Sequence, residues 1–158
     1  MPETIPASTS WLAGILRTSD ALVTTNPERL SMMGVNGGLL YERIKVRAGN
    51  DGEIFVHRWL KSESPPMHDH KYANVTIVLE GGFWEVTPKG RTWRTAGDVI
   101  FRAASDPHMI EVDPTQPPPR TLFITGAAFR DSHVYPAGGP SMPANLYRAA
   151  QRQGEKPK

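Results

Sequence analysis

The chain has 158 residues, of which 39% are hydrophobic, 22% charged and 8% aromatic, enough for one domain with its own core. A formal net charge of +2 excludes a chain held open by its own charge, and no run of about 18 apolar residues is present to cross a membrane as a helix. The absence of cysteine excludes disulfide frameworks, thiolate metal sites and cysteine nucleophiles.

Residues 1–10 read as a flexible arm, and Ser10 is a cap for a short helix carrying Trp11, Leu12, Ile15 and Leu16. The opening MPETIPASTSWLAGIL has Glu3, two prolines and no basic leader, so the cytoplasm is the expected location. From Leu30 the period changes to alternation. Leu30–Val35 and Leu39–Arg47 flank Asn36-Gly37, a hairpin signal. In the second of these strands Leu40, Ile44 and Val46 share one face, and Tyr41, Arg43, Lys45 and Arg47 the other. Glu42 falls on the apolar face, where it either points inward as a base or fourth ligand, or sits at the rim paired with an arginine. Further strands are expected over 53–60, 67–70, 74–80, 83–87, 91–94, 99–103, 109–112 and 121–125, separated by Gly- and Pro-containing turns. After Gly126 the alternation is lost, and a short helix is expected within 139–150. Nine or ten short strands with little helix predict an antiparallel sandwich or barrel.

Asn74, Thr76 and Val78 share parity and are expected to line a cavity, whereas Val75, Ile77 and Leu79 face away yet are apolar. Such a strand must be covered on both sides, and one candidate cover is a partner subunit, so a homodimer is expected. The basic residues are scattered rather than clustered, so no nucleic-acid partner is expected, and no membrane partner either. Trp59, Phe83, Trp84, Trp93 and Phe101 read as core, and His57, between Phe55 and Trp59 in parity, as a packing histidine. Arg58 and Arg102 read as surface residues by default, with a carboxylate clamp as the alternative. His133 and Tyr135, in SHVYP, are candidates to fold over a cavity mouth.

The chemistry concentrates in Pro65-Pro66-Met67-His68-Asp69-His70. In extended chain, residues i and i+2 point to one side, so His68 and His70 project together with Asp69 opposite. Two imidazoles on one side of a strand are half of a mononuclear metal site, and a third ligand must come from elsewhere. No phosphate-binding loop, dinucleotide fingerprint, serine elbow or HExxH helix competes with this reading.

Three residues separate His70 from Asn74 and six more precede Gly81; fifteen separate Gly81 from Gly97, and ten separate Gly97 from His108. This spacing resembles the two conserved motifs of the cupin superfamily, in which a paired-histidine strand and a later single histidine are set off by turn glycines. The run HDHKYANVTIVLEGGFWE also resembles small single-domain cupins of unassigned activity. The resemblance implies an all-β jelly-roll barrel, a double-stranded β-helix, over residues 28–126, with an arm and short helix at 1–27 and an irregular tail at 127–158. It implies that His68, His70 and His108 bind a divalent metal. The sequence departs from the pattern at Ser62, Asn74, Ala103, Ser105 and Val112. Asn74 stands where the metal-binding glutamate is usual, leaving three neutral ligands and an ion with its full charge. Asn74 is expected either as a weak ligand or, in preference, beside a bound water. Three-histidine cupins include thiol and diketone dioxygenases, so the resemblance favours an Fe(II) oxygenase acting on a small chelating molecule, with zinc, nickel, manganese or cobalt as alternative metals. The second expectation is a non-redox lyase or isomerase in which Glu42, Tyr41 or Tyr72 moves a proton. The third is a ligand-binding or sensing module without turnover.

Overall fold

A computed structural model describes residues 29–33, 39–47, 49–63 and 66–154. The expected N-terminal arm and helix, and the Asn36-Gly37 turn, lie outside these residues. The described chain forms strands β1 (Arg29–Met33), β2 (Leu39–Arg47), β3 (Ile54–Trp59), β4 (Met67–His68), β5 (Asn74–Glu80), β6 (Gly82–Thr87), β7 (Gly90–Thr95), β8 (Val99–Arg102), β9 (Met109–Glu111), β10 (Arg120–Thr125), β11 (His133–Tyr135) and β12 (Met142–Pro143), then helix α1 (Ala144–Gly154). None of the described helices is long and apolar enough to cross a membrane.

All pairings are antiparallel. One sheet has six strands in the order β1-β2-β3-β10-β5-β8, and two sheets of three run β12-β11-β4 and β7-β6-β9. This is a jelly-roll arrangement. The non-sequential neighbours, β3 beside β10 and β5 beside β8, bring residues distant in sequence to one inner face. On that face the register aligns Tyr41 with Trp59, Arg43 with His57, His57 with Thr121, and Phe123 with Thr76. The core packs Trp59, Val78, Phe83, Ile100 and Ile110 together, all at most 6% exposed. Burying an aliphatic or Phe side chain of this kind contributes about 1.5–3 kcal/mol. The outer face of β5 buries Ile77 and Leu79 with Val75, Leu122 and Ile124 around them, so β5 is apolar on both faces as its sequence requires.

Glycine is needed at the turns that flank the paired strands β5 and β8. Gly81 closes the β5–β6 turn at φ +70° and Gly97 precedes β8 at φ +95°, a region that L side chains avoid. Not every aromatic expectation holds. Trp59 and Phe83 are buried, but Trp93 is 39% and Phe101 77% exposed, because each projects from the outward face of a strand at the rim of its sheet. Strands β11 and β12 go beyond the sequence expectations for the region after Gly126, and the helix starts five residues later than the expected segment.

Candidate metal centre

His68 is the last residue of β4, His70 lies two residues on, and His108 immediately precedes β9. The main chain sets their spacing. The His68 N–H donates to the His108 carbonyl at 3.0 Å and the His108 N–H donates back to His68 at 2.9 Å, while the His70 N–H donates to Ala104 O at 2.9 Å. The three rings converge, with centroid separations of 5.1 Å for His68–His70, 4.9 Å for His68–His108 and 5.2 Å for His70–His108. One ring nitrogen from each lies within 4.8 Å of the other two.

The donors suit a cation. Burial pushes the His70 imidazolium down to about 3, aided by the charges of His68 and Arg102. Burial also holds His108 well below the usual histidine value, with Arg102 and the other two histidines adding to it. Both rings are therefore neutral and offer lone pairs. Nε2 of His70 and Nε2 of His108 face each other at 2.9 Å. Two nitrogens bound at about 2.05 Å to one ion sit about 2.9 Å apart at a right angle and about 3.3 Å apart at the tetrahedral angle. That spacing is within reach of two ligands of one ion, and equally of a hydrogen bond between the rings.

Behind His108 lies a buried charge cluster. Glu85 is 3% exposed; its Oε1 accepts from Arg102 Nε at 2.8 Å and its Oε2 from Arg94 Nε at 2.8 Å. The same Oε1 stands 4.0 Å from His108 Nδ1, a buried nitrogen with no hydrogen-bond partner. At that distance no hydrogen bond forms, and the carboxylate acts on the ring through its charge alone. Arg102 continues to Thr76 Oγ1 at 2.8 Å and Asn74 Oδ1 at 3.4 Å.

The ligand strand is braced from its other side. Asp69 points away from the three rings, as alternation requires, and is 1% exposed. Its Oδ1 accepts from the His133 N–H at 2.5 Å, and its Oδ2 accepts from Tyr135 Oη at 2.8 Å and Arg130 Nη1 at 2.9 Å. Burial alone would raise the Asp69 pKa, but these donors outweigh it and hold the carboxyl below its ordinary value.

Comparison with solved structures identifies the architecture. The DMSP lyase DddQ from Ruegeria pomeroyi superposes with a TM-score of 0.59 at 14% identity, over 91% of this chain and 79% of that one. A protein of unknown function with a cupin-like fold from Ralstonia eutropha gives 0.55 at 12% identity, over 80% and 82%. This chain has the cupin fold. A chain from the Rhodobacter sphaeroides complex of SigE with the anti-sigma ChrR is also similar, at a TM-score of 0.52 and 16% identity over 68% of this chain and 54% of that one. No protein-family model matches the sequence, and no curated protein matches it.

Within the cupin barrel the three histidines open into a cavity of about 170 Å³. Tyr72 lines it and stacks on His70, with ring centroids 5.8 Å apart and planes 17° apart. Burial raises the Tyr72 phenol pKa, and Glu53 adds to the effect. Tyr41 and Thr76 also line the cavity, while Val78 is packed into the core instead. Two expected site residues stand elsewhere. Asn74 does not line the cavity; its amide oxygen accepts from Arg102 Nη1 at 3.4 Å. Glu42 is on the opposite face of β2, because Tyr41 and Arg43 take the cavity side, and it pairs with Arg58 at 3.3 Å. That pairing also removes Arg58 from the cavity, and Arg102 is occupied by Glu85. His133 and Tyr135 serve Asp69 and are not among the cavity-lining residues.

Sequence reasoning missed Glu63. It lines the cavity just after β3, where the segment 62–66 reads only as a strand breaker. Its Oε2 accepts from the Ile110 N–H at 2.7 Å, and its backbone N–H donates to Ile110 O at 2.8 Å. Its Oε1 stands 3.9 Å from His68 Nε2.

Proposed function

We propose that the protein is a metal-dependent cupin enzyme that removes a proton from a small chelating substrate, a lyase or isomerase reaction. The observation that carries this reading is the convergence of three imidazoles in one cavity with two proton-handling side chains, Glu63 and Tyr72. A divalent ion held by His68, His70 and His108 would supply Lewis acidity, polarising a carbonyl or carboxylate and stabilising charge that develops beside it. Glu63 is anchored through Oε2, which leaves Oε1 to accept a substrate proton. The Tyr72 phenol, kept protonated by burial, serves as donor to the departing or carbanionic atom. Aromatic walls, with Phe55, Trp59 and Phe123 among them, exclude water and strengthen each of these interactions. The likeness in fold to DddQ, named a DMSP lyase, supports a lyase.

A second reading, an Fe(II) oxygenase, draws support from the ligand count. His68, His70 and His108 would hold the ion through three neutral ligands, and an iron ion there would supply the redox chemistry that oxygenation of a chelating substrate needs.

Metal analysis and turnover of purified protein test both. One ion per chain is expected in wild type and none in His108→Ala. Small carboxylic acids should exchange a carbon-bound proton or lose a leaving group equally well under strict anaerobiosis, and more slowly in Glu63→Gln and Tyr72→Phe at unchanged metal content. Activity that requires oxygen selects the oxygenase. Wild-type protein that takes up no ion overturns both readings.

A further inference from the structure

Away from the three histidines, the cavity wall carries polar groups that have no hydrogen-bond partner among the described residues. Arg43 and His57 are register partners on β2 and β3, and both line the cavity. His57 Nε2 and Arg43 Nε are buried without a hydrogen-bond partner. Buried polar groups in folded proteins are rarely left without a partner, and where the chain supplies none a bound molecule can. The guanidinium lies over the Phe55 ring at 4.8 Å, so its face is taken up by the ring and its N–H groups remain for hydrogen bonding. It has no carboxylate partner among the described residues, in contrast to Lys45 beside it, which is paired with Glu53 at 2.6 Å. Phe123 separates this pole from the triad, with its ring 5.4 Å from His57 and 5.5 Å from His70.

The geometry points to Arg43 and His57 as the recognition site for a carboxylate on the substrate, which lies across Phe123 with its reacting end at the three histidines. This deepens the proposed function and rests on it for the location of the reacting end. The charge balance selects a carboxylate over a phosphate. At this pole, apart from the ion at the triad, the wall offers one guanidinium with no carboxylate partner among the described residues and an imidazole that burial keeps neutral, which match a single negative charge; the second charge of a phosphate would find no counter-charge beside it. A planar guanidinium also matches the two carboxylate oxygens in geometry.

The test uses metal-loaded protein and propionate as the probe, followed by calorimetry, with propionamide and inorganic phosphate as the comparison arms. Metal content and thermal unfolding are measured on every variant. Propionate is expected to bind saturably and propionamide about tenfold or more weaker. Arg43→Gln should weaken propionate about ten- to hundredfold at unchanged metal content, and Arg43→Lys, which keeps the charge, should fall between. Propionate binding equally well to Arg43→Gln would place it on the ion alone and overturn the assignment, as would phosphate binding more tightly than propionate. Failure of the protein to load metal strikes the catalytic reading instead, because propionate binding to Arg43 is read separately.

Discussion

Replacing Asp69 by Asn tests whether the C-terminal strand β11 sets the geometry of the ligand strand. The carboxylate accepts from three donors, the His133 N–H, the Tyr135 hydroxyl and Arg130. An amide of the same shape keeps one oxygen and turns an NH₂ group toward at least one of these donors. Charge-assisted bonds contribute about 1.5–3 kcal/mol each. Arg130 is 25% exposed and belongs at the low end of that range. The loss is therefore about 2–4 kcal/mol, which for a domain of this size lowers Tm by roughly 5–15 °C. The pH dependence has a definite sign. The carboxyl is depressed in the folded state, so its contribution is present above the ordinary value of about 3.9 and is lost as pH falls through the folded value. The gap between wild type and variant should be constant from about pH 5 to 8 and narrow below about pH 4. Metal affinity should fall roughly 10- to 100-fold, the usual effect of losing a group that orients a ligand. Circular dichroism melts across pH, with calorimetric metal titration, read all three effects. A variant melting within about 2 °C of wild type, with unchanged metal affinity, refutes the reasoning.

Glu85→Gln should destabilise by about 3–5 kcal/mol, since it leaves Arg102, 6% exposed, without its counter-charge. Replacing Glu85 and Arg102 together by methionine should recover part of that loss, which a double-mutant cycle by urea unfolding measures. His57 supplies an acid-side test of the same sign as Asp69, in a higher pH window. Burial holds it down to about 3, so above pH 6.5 both folded and unfolded states carry it neutral and it contributes nothing to the pH slope. Below 6.5 the unfolded chain gains a proton that the folded one refuses, at about 1.4 kcal/mol per pH unit. Between pH 6.5 and 4.5 wild type should lose roughly 2–3 kcal/mol more than His57→Gln by urea unfolding; equal losses would contradict a buried neutral ring.

Much of this was legible in the sequence, for reasons that differ by element. Asn74–Glu80 is the strand its sequence predicts because its apolar residues leave no face for solvent and Gly81 ends it. The three histidines were legible because i and i+2 share a side in extended chain, and because the spacing from Gly97 to His108 matches a known turn and strand. Alternation tells which residues share a face and not which face turns inward. Arg43 was therefore grouped correctly with Tyr41 and still not recognised as a cavity residue, and Glu42 was weighed for a site it does not face. Glu63 escaped because it sits outside any periodic segment and reaches the cavity through backbone and side-chain bonds to Ile110, a residue 47 positions away. Strands of two and three residues, such as β12 and β11, are too short to show a period; pairing with β4 defines β11, and pairing with β11 defines β12.

The reciprocal backbone bonds between His68 and His108 carry a consequence for engineering. Because peptide groups rather than side chains hold these two positions face to face, swapping either imidazole for a carboxylate or an amide should alter donor hardness while the span between attachment points stays put. The barrel thus offers a frame in which ion preference can be retuned at the tips of the ligands, with the scaffold beneath left alone.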